Sequence, residues 1–290
     1  MFPFNKIGKT YVVSCAMISA MAILFIIAFL IVHSYQAFAH SGWQLLTTQW
    51  NPPKNQYGIL PMIYGSFAVT IIALTIALPL GITTAIFTSE ILTATTRIYT
   101  KTLLELLAGI PSIIYGLIGV TILSVFFQNL FNLQSGRTIF TAGILLAIMV
   151  LPTIITLSDD AMHNIPTHYR DAARGLGLYK YEIVTGVVLP AAKTDILGAS
   201  LLALGRALGE TMAVMLVIGS IDKIPTPIFN LWVPGQTITS KLGREIAESA
   251  FGSLHFSAMI GMGLILLFFV LTLTTVSLTY FYNPENRLYE

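Results

Sequence analysis

The feature that most constrains this chain is a series of six long runs that carry few or no charged residues. The runs extend over about Tyr11–Val32, Leu60–Thr88, Leu106–Phe127, Ile139–Leu157, Leu197–Ser220 and Phe256–Tyr280. Each is close to or longer than the roughly 20 residues that a helix needs to cross the hydrocarbon of a bilayer. Because 55% of the 290 residues are hydrophobic and the mean hydropathy is +0.80, we predict an all-α, polytopic membrane protein with six transmembrane helices.

The first run has some features of a secretory signal peptide. Lys6 and Lys9 precede it, and Ala37–Ala39 resembles a cleavage site. The apolar core of a signal peptide has about 7–15 residues, however, and Tyr11–Val32 has 22. We therefore predict a retained helix. The net charge of +2 does not favour nucleic-acid binding, and the single cysteine excludes an intrachain disulfide framework.

The basic residues between the runs predict the orientation of the chain. With a cytoplasmic N-terminus, nine lysines and arginines lie in cytoplasmic segments and five lie in outer segments. The same orientation places all three tryptophans in outer loops, near the interface where indole rings concentrate. These are Trp43, Trp50 and Trp232. Both observations favour a cytoplasmic N-terminus and a cytoplasmic C-terminus.

The runs divide the chain into three parts. Residues 1–58 form an N-terminal segment with the first helix and an outer loop, residues 59–284 form the transmembrane core, and residues 285–290 form a cytoplasmic tail. A cytoplasmic loop at about 158–196 joins the fourth and fifth runs. The long outer loop Ile221–His255 has several prolines in its first half, and Gln236–Ala250 is predicted to form an amphipathic helix on the membrane surface.

The cytoplasmic loop combines a short predicted helix with a glycine turn. Pro166 suits the start of a helix, and Gly175 and Gly177 should end that helix after about two turns. Gly177 permits a backbone angle that other residues resist. A second helix should then lead back into the membrane.

The same loop contains a recognisable spacing of residues. Asp171-Ala172-Ala173, Gly177 six positions after the aspartate, and Val187–Pro190 resemble the EAA loop of the permeases of ABC importers, with Asp in place of Glu and Val in place of Ile. The resemblance implies a coupling helix that sits in a cleft of a separate ATPase subunit, and the small alanines would let that surface approach closely. The implied coupling residues are Asp171, Ala172, Ala173 and Gly177. The alternative is a purely structural loop between two helices.

The fifth run contains two charged residues, Arg206 and Glu210. A charge at the centre of a span costs about 2.5–3.5 kcal/mol on insertion scales. On a continuous helix Arg206 would lie roughly 15 Å from Leu197, near the middle of the bilayer, and Glu210 one turn away would neutralise it. Gly205 and Gly209 would allow a neighbouring helix to approach closely. Two interpretations remain open: a structural ion pair that joins helices, or a polar path on which the arginine binds an oxyanion.

The sequence around this pair, GRALGETMAV at Gly205–Val214, resembles the C-type permease subunits (PstC) of phosphate-specific (Pst) importers. Leu107–Gly116 and Thr237–Ala247 resemble the same family. The resemblance implies a type I ABC importer (MetI-like) permease fold in the cytoplasmic (inner) membrane of a bacterium or an archaeon. The residues that would line the phosphate path are Arg206, Glu210, Thr211 and Ser112.

The resemblance also implies partners. They are an A-type permease subunit (PstA-like) that completes a heterodimer, two ATPase subunits (PstB-like) and an extracytoplasmic phosphate-binding protein (PstS-like). Gly8, Lys9 and Thr10 look like the end of a P-loop, but the glycine required five positions earlier is replaced by Pro3 and no strand can precede it. We therefore expect a transport subunit rather than an enzyme, with no metal site and no cofactor of its own, since ATP and Mg would bind to the ATPase partner.

Three other functions are weighed against this one. A permease for another oxyanion, such as sulfate or molybdate, would be the same kind of machine. A passive channel would have no need of a loop that fits an ATPase. An intramembrane protease would need paired aspartates, a Ser–His arrangement or a zinc motif, and the fifth run contains no histidine or aspartate beside Arg206 and Glu210.

Overall fold

The computed structural model describes the backbone of residues 4–281 and the side chains of residues 8–276. Within this part of the chain, six helices are long and apolar enough to cross a membrane. They extend over Gly8–Leu46, Leu60–Ile91, Ser112–Phe131, Ile139–His163, Lys180–Gly209 and Leu254–Val276. The prediction of a helical, six-span membrane protein is confirmed. The predicted tail, residues 285–290, lies outside the described residues.

The spans are built from helices that are partly joined by π-helical turns. The helices are α1 (Phe4–Ser41), α2 (Leu60–Ile86), α3 (Ala94–Ala108), α4 (Ser112–Ile118), α5 (Ser124–Phe131), α6 (Ile139–His163), α7 (Thr167–Gly175), α8 (Lys180–Ile183), α9 (Leu189–Gly209), α10 (Met212–Val217), α11 (Ile238–Glu245) and α12 (Leu254–Phe281). The π-helical turns are Phe87–Ile91, Gly119–Leu123 and Val184–Val188. A small antiparallel hairpin of β1 (Trp50–Asn51) and β2 (Gln56–Tyr57) lies between α1 and α2.

The core of the bundle is formed by α2 and α6, which pack along each other. Small residues such as Ala73 and Ala77 are fully buried in this core. Gly81 approaches α6 so closely that a Cβ at this position would lie 2.6 Å from the side chain of Ile154. Small residues allow membrane helices to approach each other and to gain dispersion contacts. The two helices therefore form a rigid scaffold for the more irregular spans.

The third span begins later than predicted because the chain breaks at Gly109–Pro111. Helix α3 ends at Ala108, and the membrane helix begins at Ser112 rather than at Leu106. Pro111 has an extended backbone (ψ 134°) and no N–H, so it cannot continue the hydrogen bonding of α3. Hydropathy does not detect this break because the residues on both sides are apolar.

The fifth span differs most from its prediction. Helix α8, a π-helical turn and α9 form one continuous helix from Lys180 to Gly209, which begins well before Leu197. The helix ends because Glu210 has an extended backbone (φ −67°, ψ 122°), and α10 starts only at Met212. The prediction of one helix over 197–220 is therefore wrong. Charged residues in the first turns kept this part of the helix out of the apolar run.

Helix α11 forms within Gln236–Ala250 as predicted, but its first turn packs into the bundle and is not a free amphipathic helix. Its first four residues, Ile238–Lys241, are buried in the bundle. Gly65 of α2 touches the segment just before it, since a Cβ there would lie 2.0 Å from the carbonyl oxygen of Gln236. The Nζ of Lys241 is paired with Asp222 at 2.5 Å and with Glu245 at 2.6 Å. Because its charges are paired inside the protein, the helix can pack against the spans.

Candidate functional site

Arg206 lies in the last turn of α9, where it meets two other helices. Its Nη1 donates to Thr153 Oγ1 of α6 at 2.9 Å, and its Nη2 donates to the carbonyl oxygen of Ala108 at 3.5 Å. Ala108 is the last residue of α3. A positive charge in the last turn of a helix is favoured by the helix dipole. The guanidinium is thus held at the point where α3 and α9 both end.

The positive charge of Arg206 is not balanced by a carboxylate within the described residues. Both of its hydrogen-bond partners, a hydroxyl and a carbonyl, are neutral. The predicted ion pair with Glu210 is wrong, because the helix ends between the two residues and Glu210 is not one turn further along it. A guanidinium has five N–H donors, so several remain for a ligand.

Glu210 stabilises the restart of the helix after the break. Its Oε1 accepts a hydrogen bond from the backbone N–H of Ala213, in the first turn of α10, at 3.2 Å. Its own carbonyl oxygen accepts from Thr239 Oγ1 of α11 at 2.8 Å. These contacts satisfy backbone groups that the break would otherwise leave unpaired. The carboxylate therefore holds an irregular segment inside the bundle.

The break is covered by α11 and lies beside the third span. Thr211 donates to the carbonyl oxygen of Gly209 at 3.2 Å. A Cβ at Gly243 of α11 would lie 2.6 Å from the methyl group of Thr211. A Cβ at Gly116 of α4 would lie 3.0 Å from the Cα of Ala213. Irregular backbone at membrane depth is tolerated where it is buried in protein or lines a polar cavity.

Of the four predicted path residues, the structure groups Arg206, Glu210 and Thr211 at the end of α9. Ser112 is partly buried and begins α4, on the other side of the Gly109–Pro111 break from Ala108. It therefore begins the third span just after the break that follows Ala108, whose carbonyl Arg206 contacts. Thr153 is a residue of this site that the sequence did not indicate, because a threonine next to a proline in an apolar helix gives no signal.

The loop between α6 and α9 has the predicted local structure. Helix α7 follows Pro166, ends at Gly175, and is followed by Gly177 with φ +81°, a conformation that favours glycine. Asp171 and Ala172 are exposed. Ala173, in contrast, is 4% exposed and packs into an apolar cluster of this chain. The sequence had suggested that both alanines form part of an outward surface. This is wrong for Ala173.

Ion pairs between distant parts of the chain, at the end of the bundle that carries α7, were not predicted. Arg170 of α7 pairs with Glu90 at 2.8 Å, and Arg97 of α3 pairs with Asp159 at 2.6 Å. The side-chain hydrogen bond with Asp159 raises the pKa of Arg97 above its ordinary value, so this guanidinium stays charged. The partners are 80 and 62 positions apart in the chain, and one sequence gives no signal for such pairs. Within the described residues, no group of three or more His, Cys, Asp or Glu could hold a metal ion.

Comparisons with known proteins agree with this architecture. Residues 77–288 match the family described as binding-protein-dependent transport system inner membrane component. The chain is 36% identical over 266 residues to the probable ABC transporter permease protein YqgH of Bacillus subtilis (strain 168), covering 90% of this chain and 85% of that protein. It is 39% identical over 259 residues to the phosphate transport system permease protein PstC of Mesorhizobium japonicum, covering 82% and 77%.

A solved structure supports the fold. The structure of the methionine ABC transporter MetNI in an inward-facing conformation matches with a TM-score of 0.56 at 17% identity, over 78% of this chain and 93% of that chain. At this identity the likeness concerns the fold alone. The predicted type I ABC importer (MetI-like) permease fold is confirmed.

Proposed function

The chain belongs to the family of binding-protein-dependent transport system inner membrane components, and we propose that it is the permease subunit of an ATP-driven importer for inorganic phosphate. It is a transport component and not an enzyme. The observation that carries the choice of an anion is Arg206, whose charge meets only neutral partners among the described residues where α3 and α9 end. The relative from Mesorhizobium japonicum is named for phosphate transport, which favours phosphate among the anions.

Phosphate would bind to the free donors of Arg206. Both ionised forms of phosphate at neutral pH need charge compensation in a dry bundle. A guanidinium provides it with two parallel, charge-assisted hydrogen bonds, which match two oxygens of the anion. Thr153 and the Ala108 carbonyl hold the guanidinium from the other side. Thr211 and Ser112 would add neutral hydroxyl groups along the path.

Glu210 would contribute to the choice between phosphate and sulfate. A carboxylate can accept the O–H that phosphate still carries, whereas sulfate presents only lone pairs to it. Repulsion of the wrong partner is a common source of specificity. Glu210 is not paired with Arg206, so the guanidinium does not neutralise the carboxylate of Glu210.

Transport would be driven through the cytoplasmic loop. Asp171 and Ala172 are exposed on α7, and Gly177 shapes the turn that follows, so this surface is accessible to an ATPase subunit. Closure of two ATP-bound ATPase subunits would move α7 and turn the bundle outward, and hydrolysis would reverse the change. ATP and Mg would stay on the ATPase chains (PstB-like), so this chain needs no cofactor of its own.

Further partners follow from the family. We propose that an A-type permease subunit (PstA-like) completes a heterodimer, and that a phosphate-binding protein (PstS-like) delivers the anion from outside. Apart from the backbone of α9 and the adjacent residues, nothing among the described residues lies within 4 Å of a Cβ at Gly205 or Gly209, so this side of α9 is accessible to a second permease. The multi-pass chain would lie in the cytoplasmic membrane of a bacterium or an archaeon, with both termini cytoplasmic. Cysteines at Lys180 and Lys223, in a Cys15→Ser background, should then label from opposite sides of the membrane, and labelling of both from outside would overturn this orientation.

The experiment is uptake of labelled phosphate by the purified complex in proteoliposomes, with and without internal ATP. Unlabelled phosphate should compete, while sulfate and molybdate at the same concentration should not. Equal competition by sulfate or molybdate would replace phosphate with another oxyanion. Uptake that is independent of ATP would indicate a channel. Identification of the subunits that co-purify with the chain tests the proposed partners.

A further inference from the structure

Arg170 connects the coupling helix α7 to the end of the second span. Its Nη2 lies 2.8 Å from Glu90 Oε1, and its Nε lies 3.4 Å from Glu90 Oε2. Nη1 and Nη2 also donate to the carbonyl oxygens of Ile165 and Met162, both at 2.7 Å. The chain itself joins α7 only to α6 and to α8. The contact of Arg170 with Glu90 therefore adds a connection to the second span that the covalent chain does not provide.

This ion pair is largely withdrawn from water. The side chains of Arg170 and Glu90 are 12% and 9% exposed. On the same helix, Arg174 pairs with Asp171, but these side chains are 65% and 63% exposed. An exposed pair contributes little, whereas removal of one partner from a buried pair leaves an uncompensated charge. Helix α7 thus has one outward face that is free for a partner subunit and one inward face that is fixed to the bundle.

A second ion pair joins α3 to α6, and a hydroxyl from the same end of span two binds its carboxylate. Thr88, two residues before Glu90, donates to Asp159 Oδ1 at 3.0 Å. Arg97 binds the same carboxylate with its Nε at 3.1 Å and its Nη2 at 2.6 Å. Asp159 is almost fully buried in α6. The end of span two, α6 and the beginning of α3 are therefore held together as one unit.

Helix α3 extends from this unit to the anion site. Arg97 lies near its start, and Ala108, about 16 Å further along the helix axis, accepts a hydrogen bond from Arg206. Because α3 is one uninterrupted α-helix over Ala94–Ala108, a shift of its first turn is expected to move Ala108 as well. The contacts of Arg170, Asp159 and Ala108 thus form a continuous connection from the coupling helix to the guanidinium.

We propose that this connection transmits the motion of α7 to Arg206, so that the ATPase cycle changes the position of the anion site through α3 as well as through spans four and five. The inference rests on the proposed function. In it Glu90, Arg170, Arg97 and Asp159 are positioning residues, since none of them touches Arg206 or the path. A contiguous set of contacts does not by itself show that two sites are coupled, so the coupling between ATP hydrolysis and transport has to be measured.

The test compares Glu90→Gln with wild type in the reconstituted complex. The phosphate transported per ATP hydrolysed should fall about tenfold, while ATP hydrolysis stimulated by the loaded binding protein persists. The matched control is Glu105→Gln on α3, an exposed glutamate outside the ion pairs of the described chain, which should keep the wild-type ratio. An unchanged ratio in Glu90→Gln would overturn the proposal. So would a proportional fall of uptake and hydrolysis, since that indicates a merely structural role.

A second readout does not depend on which anion is carried. Spin labels at Thr167 of α7 and Tyr99 of α3, in a Cys15→Ser background, should keep one distance with and without a bound ATP analogue in wild type. In Glu90→Gln this distance should change with nucleotide. If Glu90→Gln does not assemble, the same two measurements on Arg170→Gln, which removes the cation of the pair instead, decide, and wild-type values there would reject the connection. Failure of the wild-type complex to take up phosphate would instead contradict the proposed substrate, while the distances still test the connection.

Discussion

Arg170 and Arg206 lie on helices of the same chain, and they differ in what balances their charge. Arg170 has a carboxylate and two carbonyl oxygens as partners, and its side chain is 12% exposed. Arg206 has one hydroxyl and one carbonyl, and its side chain is exposed in this chain. One arginine is neutralised by its surroundings, and the other keeps a positive charge that the described residues do not compensate.

The difference separates a structural arginine from a binding one. A buried ion pair with satisfied donors holds two elements together and offers no capacity to a ligand. A cation with neutral partners and free donors has an uncompensated charge, and it can bind an anion through its remaining N–H groups. Substitution of the structural arginine should reduce stability more than transport, and substitution of the binding arginine should reduce transport more than stability.

The largest effect is expected for Arg206→Gln. Glutamine keeps hydrogen-bonding groups and loses the charge and the bidentate fork, so phosphate uptake should fall by about 100-fold or more. Assembly and thermal stability should stay near wild type, because the partners of Arg206 are neutral and its loss leaves no buried carboxylate without a cation. Uptake in proteoliposomes and a thermal unfolding curve measure the two quantities. Normal uptake by a well-assembled Arg206→Gln complex would remove Arg206 from the anion path.

Arg170→Gln should have the opposite signature. Loss of the Arg170 guanidinium leaves the Glu90 carboxylate buried without a cation. Removal of one partner from a buried ion pair lowers the stability of a protein by about 3 kcal/mol. The free energy of unfolding should therefore decrease much more than in Arg206→Gln, as seen in thermal or denaturant unfolding of the purified complex. A smaller loss of stability in Arg170→Gln than in Arg206→Gln would invalidate the distinction between the two arginines.

Arg206→Lys should give an intermediate result. Lysine keeps the charge, but its ammonium is a point donor and cannot form two parallel hydrogen bonds with one anion. We expect about tenfold slower uptake, with the loss mainly in the apparent affinity for phosphate. Concentration-dependent uptake measures this. Wild-type affinity would mean that charge alone is sufficient and that the fork geometry has no role.

Local sequence patterns predicted the region around α7 better than the region at the end of α9. The turn at Gly177 follows from a proline, two glycines and their spacing, and the structure gives it the expected positive φ. The break at Glu210 was missed, because hydropathy averages over an apolar run and does not register where the backbone leaves the helix. The pair of Glu90 with Arg170 was missed since it joins residues far apart in the chain. What the sequence could not indicate is therefore long-range pairing and backbone irregularity, and both determine which arginine stays uncompensated.

The smallest effect is expected at Glu210, the acidic counterpart in this comparison. Glu90 is paired with a cation, whereas Glu210 Oε1 accepts from the backbone N–H of Ala213 at 3.2 Å. An amide oxygen can accept the same hydrogen bond, so Glu210→Gln should keep the stability of the protein. Glu210→Ala removes the cap and should cost about 1 kcal/mol.

Glu210→Gln removes only the negative charge, whereas Glu210→Ala removes both the charge and the hydrogen bond to α10. A change in transport that both variants share is therefore caused by the lost charge. We expect both to admit sulfate better relative to phosphate, since the carboxylate no longer repels an anion without a proton. Competition of sulfate with labelled phosphate uptake measures this ratio, alongside unfolding curves of the two complexes. An unchanged ratio in both variants would confine Glu210 to its contact with α10, and it would leave Arg206 as the charged residue that acts on the anion.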